Sequence, residues 1–195
     1  MFLPLIWNVQ KAADGHALLI GGWAVRFYAT PPRPSSSELD FFIPTPDALL
    51  GVHRVFGPQV VYEWGSWVGF VKTDTGKRVR LDINPYDMLP MGVWTSVEGA
   101  DTSILVGSPL SITSGKLARA LRRGPLQRDQ IDIAALLVSQ HGELLVEQLK
   151  HQIRIDDNVA RAFGALALPG SITSLFSPKE VDILATRVAS IEQDG

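Results

Sequence analysis

The chain has 195 residues, of which 46% are hydrophobic and 19% charged, with a formal net charge of −2. That apolar content can fill the core of one compact domain, or of one domain with a small helical appendage. The charge balance excludes a protein that coats nucleic acid by charge alone. No cysteine is present, which excludes disulfides, thiol catalysis and cysteine-ligated zinc.

The first ten residues are apolar but lack a basic lead and contain Pro4. They fall well short of the ~20 apolar residues that span a bilayer. No membrane association and, by default, a cytoplasmic location are expected.

In chain order, Val9 to Ala13 suits a short helix, and Ala17 to Ile20 is an apolar run ending at Gly21-Gly22. Helical content follows from Trp23 to Ala29, stopped by the proline-rich stretch Thr30 to Pro34. Glu38 to Ile43 reads as a strand, Asp47 to Gly57 as a helix, and Val60 to Glu63, Trp67 to Thr73 and Arg78 to Ile83 as further strands. Asp74-Thr75-Gly76 is a hairpin signal between the last two. Alternation in the last puts Val79, Leu81 and Ile83 on the core face and Arg78, Arg80 and Asp82 on the other.

From about residue 111 helical periodicity takes over. Helices are expected over Ser114 to Arg123, Arg128 to Ser139, Gly142 to Gln152 and Asp156 to Ala165. A final helix starts at Ser177, with Pro178 at its first position and Glu180 completing a capping box. The expected class is α+β (α/β), with a catalytic core over residues 1–110 and a helical region over 111–195.

Three features carry chemistry. Gly21-Gly22, between an apolar run and a helix, lets backbone approach a phosphate closely, although such a turn is more often only a turn. Glu38 and Asp40 lie two apart on a strand and so share a face, while Leu39 and Phe41 enter the core. Two adjacent carboxylates repel unless a cation lies between them, and a hard ion such as Mg²⁺ suits oxygen donors. The bland alternative is a solvated strand face. Asp82 ends its own strand on the polar face and supplies a third carboxylate, as two-metal phosphoryl transfer requires.

The segment Leu19-Ile20-Gly21-Gly22-Trp23-Ala24-Val25, followed by Arg33-Pro34-Ser35-Ser36-Ser37-Glu38-Leu39-Asp40-Phe41-Phe42, resembles the signature of the DNA polymerase β-like nucleotidyltransferase superfamily. It is especially similar to the AbiEii/AbiGii toxin branch and its MenT-type relatives. Lys116-Leu117-Ala118-Arg119-Ala120 and Arg128-Asp129-Gln130-Ile131-Asp132 look like that branch's downstream segments. The sequence departs in having Glu38 where the family has Asp, and in one extra residue between Arg33 and Glu38.

The resemblance implies a nucleotidyltransferase-type mixed sheet flanked by helices, followed by a helical C-terminal region. It implies Glu38, Asp40 and Asp82 as catalytic, metal-holding residues for Mg²⁺ or Mn²⁺. It implies Gly21, Gly22, Ser36, Lys116, Arg128, Asp129 and Asp132 at the nucleoside triphosphate, with Lys116 on the triphosphate and Asp129 or Asp132 orienting a basic group or ligand. A tRNA 3′ end or a protein would be the acceptor, and the chain would be a toxin with a cognate antitoxin. A small-molecule, aminoglycoside-type transferase and a degenerate nucleotide- or partner-binding module are the rival readings.

Other groups were weighed. His16, His53, His141 and His151 lack the spacing of a helical metal site. Ser66 and Ser103 have no triad context. Trp64, Trp67 and Trp94 suit either base stacking or the core. Helical spacing puts Lys116, Arg119 and Arg123 along one stripe, with Arg122 and Arg128 nearby, readable as a solvated face or as a phosphate-contacting surface.

Overall fold

The computed structural model describes residues 3–34, 37–43, 45–56, 60–63, 66–72, 76, 78–85, 92–96, 102–168 and 170–193. The chain forms two compact units. The first holds Met1–Phe27 and Ser35–Ser108; the second holds Tyr28–Pro34 and Pro109–Gly195. The sequence expectation had put a single border after residue 110. The observed units divide after Ser108, and a short upstream segment belongs with the helices.

The first unit is built on a mixed sheet. Its elements are α1 (Leu3–Ala12), β1 (Leu18–Ile20), α2 (Gly21–Val25), β2 (Glu38–Ile43), α3 (Pro46–Phe56), β3 (Val60–Glu63), β4 (Ser66–Lys72), β5 (Arg78–Pro85), β6 (Gly92–Ser96) and β7 (Ser103–Gly107). The seven strands run in the order β3-β4-β5-β2-β1-β7-β6. The β2–β5 and β1–β7 pairs are parallel and the other pairs antiparallel.

Alternation along β5 is as the sequence indicated. Val79, Leu81 and Ile83 are buried, while Arg80 and Asp82 are half-buried. Leu39 and Phe41 of β2 are likewise buried between the half-buried Glu38 and Asp40. One face of the central strand pair is therefore apolar and the other carries charge.

Helix α1 runs from Leu3, well before the expected Val9. Pro4 falls in the first turn, where its missing N–H is one the helix would leave unpaired anyway. Its buried Gln10 is a polar tie. The side-chain amide donates to the carbonyls of Ala17 (2.9 Å) and Leu105 (2.6 Å), and its oxygen accepts from Leu105 N–H (3.2 Å). Helix α3 crosses α1 at Gly51, where a Cβ would lie 2.0 Å from the Ala12 carbonyl oxygen. The antiparallel β4–β5 pair fits the expected hairpin; Asp74 and Thr75 lie outside the described residues, and Gly76 has φ +77. Strands β6 and β7 had no counterpart in the sequence reading.

The second unit is helical: α4 (Pro109–Arg123), α5 (Gln127–Val138), α6 (Gly142–Ile155), α7 (Asp157–Ala165), a 3-10 turn (Gly170–Leu175) and α8 (Pro178–Glu192). Helix α4 begins at Pro109 rather than Ser114, again with proline in the first turn. Helix α5 is its central rod, with every residue from Ile131 to Leu137 buried. Its C-terminal carbonyls at Leu137 and Ser139 accept from the Arg187 guanidinium. The capping box at Ser177 and Glu180 is present. A mixed-sheet core followed by a helical C-terminal region is thus what the chain forms. Among the described residues, no helix is long and apolar enough to cross a membrane.

Candidate active site

The polar face of β2 and β5 carries the chemistry. In the parallel register Glu38 pairs with Arg80, and Asp40 pairs with Asp82. Register partners on adjacent strands project to the same side, with their backbones about 4.8 Å apart. Asp40 and Asp82 therefore stand on one rung of the sheet, with Glu38 and Arg80 on another rung of the same face. Alternation shows the face of each strand separately; the structure puts the two strands side by side.

Gly21 closes the rung on its other edge. Strand β1 pairs with β2 so that Ile20 lies opposite Asp40. The next residue, Gly21, has φ +71, and a Cβ built there would lie 2.0 Å from Asp40 Oδ2. Only glycine allows the chain both that left-handed turn and that close approach. The Gly21-Gly22 backbone and the carboxylate rung, read as separate features in the sequence, meet here.

Arg80 is the residue to which the sequence reading gave no role. Its Nε donates to both oxygens of Asp82, at 2.9 and 3.1 Å. The i, i+2 spacing on one strand face was the available signal. The Arg80 side chain remains 40% exposed and that of Asp82 18% exposed.

A divalent ion is implied by the resemblance, and the donor chemistry bears on whether one fits. Asp40 and Asp82 offer hard anionic oxygens from one rung, the donor type that Mg²⁺ and Mn²⁺ take. Gly21 presents no side chain against them. Among the described residues, no three His, Cys, Asp or Glu side chains are grouped so as to hold a metal ion. The fit therefore rests on the Asp40–Asp82 pair, with Glu38 on the same face.

Three more of the expected site residues, Lys116, Asp129 and Asp132, lie in the helical unit, in a second cluster of charge. Asp129 and Asp132, one turn apart on α5, are both buried. The Lys116 ammonium donates to Asp129 Oδ1 (3.0 Å) and Asp132 Oδ2 (2.7 Å). Arg33 grips Asp132 with two parallel bonds, Nε to Oδ1 at 2.7 Å and a terminal nitrogen to Oδ2 at 2.6 Å. Arg119 donates to Asp129 Oδ1 as well. Three cations thus share two carboxylates. Among the described residues, Asp129 Oδ2 and Arg119 Nε have no hydrogen-bond partner.

This arrangement corrects the stripe of Lys116, Arg119 and Arg123. Lys116 is only 5% exposed because α4 turns that residue toward the α5 aspartates. Arg122, Arg123 and Arg128 are exposed, and Arg119 lies between the two settings. Asp132 accepts from both Arg33 and Lys116. Ser36 and Trp64 lie outside the described residues, as do the side chains of Ser66, Trp67 and Trp94. Of the histidines, His16, His53 and His151 are exposed, and His141 meets Tyr28 edge-on at 5.2 Å.

No family model matches the sequence, and no curated relative does. Among solved structures, the chain is similar to JHP933 from Helicobacter pylori, with TM-score 0.53 and 18% identity over 98% of this chain and 90% of that one. At that identity the likeness establishes a shared fold. Weaker likenesses extend to an antigenic nucleotidyltransferase-like protein from Paracoccidioides brasiliensis (TM-score 0.48, 15% identity, 84% of this chain and 91% of that one). The antibiotic-resistance factor ANT(2'')-Ia is also similar (TM-score 0.44, 16% identity, 98% and 95%).

Proposed function

We propose that this chain is a nucleotidyltransferase that moves a nucleoside monophosphate from an NTP to an acceptor hydroxyl, with Mg²⁺ or Mn²⁺ as cofactor. The observation that carries the reading is the Asp40–Asp82 rung, with Glu38 on the same face and the Gly21 backbone against Asp40. A strand pair that spends its polar face on three carboxylates at the edge of a glycine turn is arranged for phosphate and cation chemistry.

Asp40 and Asp82 would hold the metal, with Glu38 adding negative charge on the same face. When bound, the ion supplies positive charge to the phosphate oxygens. Asp82 would accept the proton of the attacking hydroxyl as the new oxygen–phosphorus bond forms at the α-phosphate. The bond to the β-phosphate then breaks and pyrophosphate leaves. The Gly21-Gly22 turn would bring backbone against the phosphates without a side chain intervening.

In the helical unit, Arg128 is proposed for phosphate contact. Lys116, Asp129 and Asp132 are proposed as braces, because the lysine's charge is already shared between the two aspartates. A tRNA 3′ end or a protein is the proposed acceptor, and a toxin paired with an antitoxin the proposed biological role. Both follow from the AbiEii-like motifs.

A second reading keeps the fold and drops the transfer, leaving a nucleotide- or partner-binding module. Arg80 across both oxygens of Asp82 favours it. The two readings separate on incubation with each α-labelled NTP, Mg²⁺, total tRNA and total protein. Label appearing on a macromolecule supports transfer. Nucleotide binding without label in any fraction supports the module.

A further inference from the structure

Two of the arginine–aspartate pairs differ in kind. Arg33 and Asp132 are enclosed, with side-chain exposures of 13% and 1%, and Lys116 shares the same carboxylate. Arg80 and Asp82 are open, and the arginine is 40% exposed. The first cannot part without stranding a charge in the interior. The second is the weaker of the two, because a part-solvated pair of this sort is weakly held.

The open pair lies where a cation is needed. The register puts Glu38 opposite Arg80 and Asp40 opposite Asp82, so three carboxylates share the polar face of two strands with Arg80 and with Arg78, whose guanidinium lies 3.9 Å over the Phe70 ring. Arg80 is the cation on Asp82, and the carboxylate that would serve as both metal donor and base has both oxygens engaged by it.

We propose that Arg80 is an exchangeable stand-in cation: it neutralises Asp82 when no metal is bound, and it competes with a divalent ion for that carboxylate. This inference rests on the metal reading of the site and adds a regulatory element to it. A divalent ion carries twice the charge of the guanidinium and is held by Asp40 as well, so it displaces the arginine into solvent. Arg80 is a positioning residue, acting on the reaction through Asp82. It keeps the rung stable in the empty protein and sets a threshold of metal concentration for filling it.

The test uses the full chain and the variants Arg80→Gln, Arg80→Lys, Asp82→Asn and Arg80→Gln/Asp82→Asn, each checked for folding by circular dichroism. In EDTA, thermal midpoints form a double-mutant cycle. Loss of Arg80 lowers the midpoint in the native background and has a smaller effect once Asp82 is neutral. Equal effects in both backgrounds would overturn the counter-ion role.

Mn²⁺ is then titrated and followed by electron paramagnetic resonance. Arg80→Gln is expected to bind Mn²⁺ about two- to fivefold more tightly than the native chain, the scale set by an exposed ion pair. Arg80→Lys should fall between, since a lysine keeps the charge and loses the Nε donor that spans both Asp82 oxygens. Mn²⁺ binding by the native chain that Arg80→Gln leaves unchanged or weakens would overturn the competition alone. No Mn²⁺ binding by either protein would overturn the competition and the metal reading together, and the EDTA cycle would still decide the counter-ion role.

Discussion

Asp40 and Asp82 come from strands separated by more than thirty residues of chain, yet they are register partners in one parallel pair. Each is half-buried beside fully buried apolar neighbours: Leu39 and Phe41 on one strand, Leu81 and Ile83 on the other. The apolar alternation fixes which way each strand faces, because a slip of one residue would send the carboxylates inward and the leucines outward. Packing of the core thereby sets the spacing of the charged rung. The rung in turn dictates what the neighbouring turn can be, since Gly21 must lack a side chain to lie against Asp40.

Gly21→Ala follows directly. The new Cβ would occupy the space of the Asp40 carboxylate, at a backbone angle that L-residues avoid. We expect a stability loss of about 1–3 kcal/mol, and loss of nucleotidyl transfer beyond what the stability change explains. Urea unfolding and a transfer assay at matched folded fraction check the two parts.

How much of this was legible beforehand depended on whether the signal was local. Strand β3 and the alternation of β5 follow from residues within the strand, as do the shared face of Glu38 and Asp40 and the capping box at Ser177. Strand β7, Ser-Ile-Leu-Val-Gly, has little polar alternation, and it is tied into the centre of the sheet by β1, at Leu19, far away in the chain. Nothing nearby in sequence marks it. Pro4 and Pro109 lie upstream of the expected helix starts, and both fall in first turns where proline costs the helix no hydrogen bond.

The helical-unit cluster was hidden for a related reason. Arg33, Lys116 and Asp132 come from three separated segments, and periodicity on α4 alone suggested an exposed basic stripe. Only the packing of α4 on α5 shows Lys116 shared by two buried carboxylates.

That cluster should be costly to break. Asp132→Asn removes one of two carboxylates that serve three cations and leaves Arg33 and Lys116 short of a counter-charge in the interior. We expect a loss of about 3–5 kcal/mol. Asp82→Asn, at the exposed pair, should change stability by only about 0–1 kcal/mol. Chemical denaturation of both variants tests the contrast, and similar values for the two would contradict it.

Glycines sort by the space around them. Gly142→Ala would set a Cβ 2.0 Å from the Leu137 carbonyl oxygen and 2.2 Å from the Arg187 guanidinium, and Gly51→Ala 2.0 Å from the Ala12 carbonyl. Each should destabilise by about 1–3 kcal/mol. Gly115, inside α4, has open space at its Cβ. Gly115→Ala should therefore stabilise by about 0.5–1 kcal/mol, the helix-propensity difference. Thermal midpoints that move the same way in all three would refute this reading of the packing.

The last helix carries a pH dependence. Hydrogen bonds from the Ser177 hydroxyl and then from its backbone N–H hold the Glu180 carboxyl below its ordinary 4.5. A lowered folded value means that the cap's contribution is complete above about 4.5 and is lost as pH falls through the lowered value. Ser177→Ala should cost about 1 kcal/mol at neutral pH, and the cost should shrink in acid. A cost that stays constant from neutral to acid pH would contradict the capping box as its source.

The central claim is that the Asp40–Asp82 rung performs metal-dependent nucleotidyl transfer. The most direct measurement is the rate of label transfer from an α-labelled NTP to acceptor in Mg²⁺, for the native chain, Asp40→Asn and Asp82→Asn, with EDTA as the blank. The account predicts transfer by the native chain that EDTA abolishes, and a fall of at least about a hundredfold in each variant while both remain folded. Equal labelling by all three proteins, or native labelling that persists in EDTA, would contradict it.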